Sequence, residues 1–558
     1  MTVGASYLEP GGARPRRRRR FSGRVAAGVL LALAVAGGAA YVITQRLNSG
    51  RPVVERFARA WQRDDYAAMY REVDPAQRRR VSLTRFRAAY QRAGFIATQS
   101  SLRTGSLKRD GDGFKLKVHA RTRVFGVVTG DVHVPLTGGD PRHVRWSTAL
   151  TFPGLSRGHP LRRVARVPKR AALLSRDGKL LADGDNIASP LGSQIGIVGD
   201  LGEAQDLSQV RALVMGGFPA KTPVGTSGLQ RALNDRLLGK AGGTLFAGRT
   251  VLARVAPRRA HDVRASIDAH IQAAAASALG GQFGGVAVLD PSTGEVLALA
   301  GIATDGAQPP GSTFKIMTVT AALEDHIVTL ASRFPVQTGA NVGGRFLANA
   351  NNESCGGDLT ASFSKSCNSV FAPIGVKLGA KRLVDVAERF GFNEPPPVPG
   401  AKPDQIPKAG EMTGPDEVGS SAIGQGRVLA TPLGMATVGA TIANAGRRAR
   451  LTLVHGEPPR FTKATTPQVA ATVRQLMLAV VNGAGATGNA AAIPGVQVAG
   501  KTGTAELGGS EPNDAWFVAF APAQQPRLAV GVLVVHGGFG GDSAAPIARK
   551  VLQAGLGG

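Results

Sequence analysis

Cysteine is nearly absent from this 558-residue chain. Two residues, Cys355 and Cys367, cannot build a disulfide-rich scaffold or a four-cysteine zinc site. Aromatic residues make up only 5%, which argues against gripping single-stranded nucleic acid by base stacking. None of the nine histidines stands in an H-E-x-x-H or similar spacing, which argues against a zinc peptidase. "GGDSAAP" at 540–546 lacks the G-x-S-x-G of a hydrolase elbow. No repeat of fixed period marks a solenoid, and no motif calls for a cofactor. Acidic residues are scarce too: 38 against 67 Lys and Arg, a formal net charge of +29. What remains is 43% hydrophobic and 19% charged, enough for a sizeable core and, at this length, about three domains.

The excess charge is local. Residues 1–24 carry +6, residues 51–170 carry +17, and residues 171–558 only +5. Anionic membrane or wall polymer therefore suits the N-terminal part, and nucleic acid has no site to occupy. "RPRRRRR" at 14–20 and Arg24 precede twenty uncharged residues, 25–44, "VAAGVLLALAVAGGAAYVIT". Twenty helical residues match a bilayer core of about 30 Å. The Arg cluster places residues 1–24 in the cytoplasm as a basic tail and exports the chain beyond the anchor. Ala34-Val35-Ala36 also fits a signal cleavage site, but the apolar run is long for one and continues past it. The expectation is a single-pass membrane protein with its catalytic part outside the cytoplasm.

The exported part divides into three blocks. Residues 51–155 place Val54, Phe57, Trp61, Tyr66, Met69, Tyr70 and Val73 at helical spacing, then alternate in strand fashion over 114–128. The stripe reads as core rather than as a ligand box. This helix-then-strand block resembles the nuclear-transport-factor-like domain of methicillin-resistance-type penicillin-binding proteins, an α+β fold. In residues 156–280, "RVPKRAALLSRDGKLLA" turns at "RDG", and "DVRASIDAHIQAAAASALGG" ends an Ala-rich helix at Gly280-Gly281. With "VGTSGLQRALNDRLLGKAGG", these pieces resemble the pedestal of class B penicillin-binding proteins. Residues 281–558 open on "GGVAVLDPSTGEVLALAG" and close on "DAWFVAFAP" and "LAVGVLVVHGG", strands at both ends with Ala-rich helical segments between. One sheet covered by helices is expected. Trp516, on one of those strands, reads as a packing residue.

Chemistry concentrates in the third block. "PPGSTFK" sets Ser312 three residues before Lys315, and on a helix that spacing puts amine and hydroxyl on one face. A neutral amine there can take the serine proton and leave a nucleophile. The Pro-Gly entry suits a helix N-terminus, whose field favours negative charge and, with burial, disfavours a charged Lys315. Alone, S-x-x-K is weak. A second copy, Ser362 to Lys365, lacks the Pro-Gly entry and reads as a surface helix. The signal strengthens through its company: Ser366-Cys367-Asn368 comes next, then Lys501-Thr502-Gly503-Thr504. S-x-x-K, S-x-N and K-T-G in this order resemble the penicillin-binding and serine β-lactamase superfamily. With the pedestal and N-terminal block, the resemblance is to the monofunctional D,D-transpeptidases, class B penicillin-binding proteins.

That resemblance implies an α/β transpeptidase fold, an antiparallel sheet covered by helices, and a set of roles. Ser312 would attack a D-Ala-D-Ala stem peptide, with Lys315 as base. Ser366 would shuttle the proton between Lys315 and Lys501. Asn368 would hold the substrate amide and orient Lys315. Backbone N–H groups of Ser312 and Thr504 would form the oxyanion hole. Thr502 and Thr504, with Lys501, would hold the terminal carboxylate, and Gly503 would let substrate pair with the strand edge. The implied partners are stem peptides, donor and diamino-acid acceptor, β-lactams and a membrane glycosyltransferase, since no polymerase domain is visible. A D,D-carboxypeptidase or anchored β-lactamase would use the same serine and lysines, and a non-catalytic scaffold or β-lactam sensor is a third reading. Cys355 and Cys367 are either two thiols or, as expected of an exported chain, a bridge pinning the Ser366–Asn368 loop.

Overall fold

The structure, a computed structural model, describes residues 50–185, 188–506 and 511–557, together with Val35 and Ala36. The expected basic tail 1–24 and anchor 25–44 lie outside the described residues apart from that pair. Among the described residues no helix is long and apolar enough to cross a membrane. The chain forms two compact units. Of the described residues, the first takes 50–165 with 214–217 and 242–256, and the second takes the rest from 166 on.

In the first unit, helices Arg51–Gln62, Tyr66–Arg71, Pro75–Arg78 and Leu83–Ala97 precede an antiparallel sheet of Gln99–Asp110, Gly113–Thr122 and Gly126–Pro135. Side chains of Asp65, Asp74 and Ser82 accept from the first-turn N–H groups of their helices, so each start is capped by the residue type that suits it. The predicted stripe is core: Val54, Phe57, Trp61, Met69 and Val73 pack with Phe86 and Tyr90 against Phe114, Leu116 and Val118 of the sheet. The middle strand alternates as its sequence does. Phe114, Leu116, Val118 and Ala120 are buried, and Lys115, Lys117, His119 and Arg121 lie on the more open face.

A further sheet in this unit joins Leu161–Arg166 to Gly242–Ala247 and Thr250–Val255. The block read from sequence as one pedestal, 156–280, is thus shared between the two units. Nothing local in 242–255 marks it as belonging to the N-terminal part, because strand pairing is settled by a partner some eighty residues earlier.

The second unit begins with the hairpin that "RDG" predicts. Leu173–Leu174 pairs antiparallel with Leu180–Ala182 across a turn in which Gly178 has φ +87°. Helix α1 (Ala269–Leu279) is capped by Asp268 and stops at Gly280, φ +61°. Strands β1 (Gly284–Leu289) and β2 (Val296–Gly301) come next, then helices α2 (Lys315–Glu324), α3 (Leu359–Ser364), α4 (Asn368–Leu378) and α5 (Pro432–Ala443). Strands β3 (Ala499–Ala505), β4 (Asp514–Ala521) and β5 (Leu528–Val534) and helix α6 (Ala544–Leu556) follow after further helices, among them Ala380–Phe390, Pro415–Ala422 and Pro467–Asn482.

The five strands form one antiparallel sheet in the order β2-β1-β5-β4-β3. On one face Ala287, Trp516 and Val518 pack with Ile316 of α2 and Met435 of α5. On the other, Val286, Phe517 and Val532 pack with Ile271 of α1 and Val551 of α6. Burial on both faces is why these strands read as continuous apolar runs rather than alternating ones. The strand carrying Lys501 to Thr504 is the edge strand, so one row of its backbone groups faces away from the sheet.

Candidate active site

Ser312 sits on a 3₁₀ turn, Gly311–Phe314, and Lys315 is the first residue of α2. Their spacing brings Lys315 Nζ to 2.8 Å from Ser312 Oγ. The same nitrogen lies 2.7 Å from the Ser366 carbonyl, 2.7 Å from Asn368 Oδ1 and 3.3 Å from Ser366 Oγ. A carbonyl and an amide oxygen can only accept. A neutral Lys315 has two N–H bonds, so giving them to these two oxygens turns its lone pair toward the Ser312 hydroxyl. The orientation of Asn368 is settled from its other side, where Nδ2 donates to the Ala348 carbonyl at 2.7 Å.

Lys501 approaches from the edge strand. Its Nζ is 2.8 Å from Ser366 Oγ and 3.0 Å from the Thr502 carbonyl. Ser366 Oγ therefore stands between the two amines. Beneath them Phe363 and Phe371 meet edge to face at 5.7 Å, with Lys315 Nζ 5.7 Å over the Phe371 ring and Lys501 Nζ 5.5 Å over that of Phe363. Both lysines are fully buried. Loss of hydration, and then repulsion from Lys501, holds Lys315 well below the ordinary lysine value. Burial lowers Lys501 to about 7. The site thus weakens the hold of Lys315 on its third proton.

Ser366 has φ +62°, a left-handed conformation that a residue with a Cβ adopts only when its surroundings hold it. Its carbonyl is bound by Lys315, and its neighbour Cys367 is joined to Cys355. Asn349 completes the clamp: its Oδ1 accepts from the Ser369 N–H at 2.8 Å, and its Nδ2 donates to the carbonyls of Gln337 and Glu353. The bridge therefore ties the S-x-N loop to the strand Cys355–Asp358.

Gly503 has a second reason to lack a side chain. A Cβ there would fall 2.7 Å from the Pro310 carbonyl, inside the turn that carries Ser312. Gly424, φ +72°, accepts the Gly311 N–H at 2.9 Å, and a Cβ on it would stand 2.1 Å from the Gly311 carbonyl. These two glycines let edge strand, nucleophile turn and the 421–427 loop approach one another. Ser312, Ser366, Asn368, Thr502 and Thr504 all border one cavity of about 480 Å³.

The second S-x-x-K answers the surface-helix expectation in part: Lys365 is exposed, at the rim of the cavity, but Ser362 is fully buried in α3. Packing of α3 under the site, invisible to a four-residue pattern, brings it there. Trp516 is fully buried in the core, as expected of a packing residue. Sequence reading missed Asn349, the Phe363–Phe371 floor and Thr487, whose Oγ1 lies 2.6 Å from Thr502 Oγ1. The contact of Thr487 with β3 is made only through the fold, fifteen residues along the chain from Thr502.

Residues 284–553 match the family described as penicillin binding protein transpeptidase domain. The chain is 35% identical over 410 residues to a peptidoglycan D,D-transpeptidase of Mycolicibacterium smegmatis, PbpA, covering 59% of this chain and 80% of that one. It is 27% identical to the peptidoglycan D,D-transpeptidase MrdA of Haemophilus influenzae, over 64% and 67% of the two chains. Among solved structures, a D,D-transpeptidase domain from Eggerthella lenta is similar at TM-score 0.57 and 29% identity, covering 70% of this chain and 99% of that one. Penicillin-binding protein A of M. tuberculosis, as its ceftriaxone acyl-enzyme, is similar at TM-score 0.54 and 27% identity, over 69% and 98%.

Proposed function

The chain belongs to the penicillin-binding transpeptidase family, and from that premise we propose that it is a peptidoglycan D,D-transpeptidase, acylated at Ser312 and inhibited there by β-lactams. The observation that carries this reading is the position of Lys315 Nζ, 2.8 Å from Ser312 Oγ, with acceptor-only oxygens on its other sides. Ser312 gives its proton to Lys315 as Oγ attacks the carbonyl of the penultimate D-Ala. The C–N bond to the terminal D-Ala breaks, and its nitrogen takes a proton through Ser366 Oγ, which lies between the two lysines. Backbone N–H groups of Ser312 and Thr504 hold the oxyanion. Thr502, Thr504 and Lys501 hold the terminal carboxylate. An amine of a neighbouring stem peptide then attacks the acyl-enzyme and closes the cross-link.

In the same proposal, residues 25–44 anchor the protein once in the membrane, with the catalytic unit outside the cytoplasm. The N-terminal unit is of the nuclear-transport-factor-like, methicillin-resistance type, its helices preceding a three-stranded sheet. Glycan strands come from a separate membrane glycosyltransferase.

Mass spectrometry after exposure to benzylpenicillin tests the acylation: one adduct on the wild type and none on Ser312→Ala are expected. A stem-peptide donor with a labelled amine acceptor tests the transfer. Release of D-Ala without amine incorporation would replace the transpeptidase with a carboxypeptidase, and an unlabelled wild type would overturn the reading.

A further inference from the structure

Thr487 is outside the three motifs, yet it touches one of them. Its Oγ1 lies 2.6 Å from Thr502 Oγ1 and 3.1 Å from the carbonyl of Ser364, and its backbone N–H reaches that same carbonyl at 3.3 Å. Both threonines border the cavity of Ser312. Side chains alternate along β3, and the Thr502 side chain leaves the strand on the side where it meets Thr487.

Hydroxyl protons decide what this pair can do. Each hydroxyl has one proton to give. If Thr487 spends its proton on the Ser364 carbonyl, Thr502 must donate to Thr487 and offers only lone pairs to the cavity. Those would repel a carboxylate. If Thr487 donates to Thr502 instead, the Thr502 proton is free for the ligand. The Ser364 carbonyl is not abandoned in that second state, because the Thr487 N–H still serves it. Rotation of two hydroxyls therefore converts Thr502 from acceptor to donor and leaves no buried carbonyl bare.

The geometry points to Thr487 as a positioning residue that sets the Thr502 hydroxyl to donate to the free carboxylate of the donor substrate, and so selects ligands that end in one. The inference rests on the transpeptidase reading and concerns its carboxylate subsite. It predicts a selectivity effect rather than a general loss. Thr487→Val keeps shape and the backbone bond but has no proton to give. Thr502 then has only its own proton, with no hydroxyl donor behind it.

The test compares acylation by benzylpenicillin with acylation by its methyl ester, which lacks the carboxylate. For T487V we expect benzylpenicillin to react about fivefold more slowly, the net size of the one neutral hydrogen bond that holds the Thr502 hydroxyl turned toward the ligand, with the ester rate unchanged. T487S, which restores the hydroxyl, returns the benzylpenicillin rate to near wild type. T487A, made in parallel, keeps the backbone bond and is read the same way should T487V fold poorly. On a T502V background T487V has no further carboxylate-specific effect, because the relay acts only through Thr502. Equal slowing with both ligands, no slowing with either, or additive losses in T502V/T487V would overturn the relay. A wild type that benzylpenicillin does not acylate would instead overturn the transpeptidase reading, and the relay with it.

Discussion

Lysines occur in both units of this protein and live in opposite surroundings. In the N-terminal unit Lys115 and Lys117 lie on the open face of a sheet, and Lys117 pairs with Asp131 at 3.6 Å, both side chains more than 40% exposed. In the catalytic unit Lys315 and Lys501 are fully buried, without a carboxylate partner among the described residues, over two phenylalanine rings. The first pair contributes charge at a distance, screened within about 8 Å at physiological salt. The second pair contributes reactivity, because dehydration lowers the affinity of both amines for a proton. Net charge therefore describes the surface of the N-terminal unit and says little about catalysis, which depends on two buried amines whose proton affinity is lowered.

Mutation should break this contrast most visibly at its reactive end. Lys315→Met is expected to slow benzylpenicillin acylation by about 10²–10⁴-fold, the range for loss of a general base, with the unfolding midpoint hardly lowered or even raised. Stopped-flow acylation beside a thermal melt checks both halves. Next in size, Phe86→Ala should destabilise the N-terminal unit by about 3–5 kcal/mol, since Phe86 is fully buried among Tyr70, Tyr90 and Trp146. Acylation at Ser312 should continue unchanged, and hydrogen exchange resolved by segment would show the loosening confined to the first unit.

The pH dependence sharpens the comparison. Lys501, lowered to about 7 when folded, binds fewer protons than the unfolded chain between about 7 and the ordinary lysine value of 10.5. Stability should therefore rise with pH across that window, by a few kcal/mol in all. Lys501→Met should flatten the rise in urea titrations at a series of pH values. Acylation should fall as the medium is made acidic enough to protonate Lys315. The smallest effect is at the surface: Lys117→Ala should cost at most about 1 kcal/mol and leave acylation as it was.

Much of the site was legible because it is local. The Ser312–Lys315 contact comes from one turn of backbone, and the K-T-G residues from a strand that ends a run of apolar ones. The hairpin at "RDG", the helix stop at Gly280 and the aromatic stripe of the first unit were equally readable. Illegible were contacts made between segments far apart. Ala348 orienting Asn368, Asn349 holding Ser369, Thr487 meeting Thr502 and strand 242–247 joining 161–166 each depend on how distant pieces pack. The burial of Ser362 was illegible for the same reason, since packing under the cleft is not written in the Ser362–Lys365 spacing.

By itself the sequence determined which atoms could react: a hydroxyl and an amine three residues apart, a second serine and asparagine, a second lysine on a strand. Only the tertiary structure decided that these amines would be dry, close to one shared hydroxyl, and able to exist uncharged. Spacing along the chain sets which side chains share a turn of helix. Protonation depends on how much water the whole fold removes and on which charges it leaves nearby, and those come from residues more than a hundred positions apart.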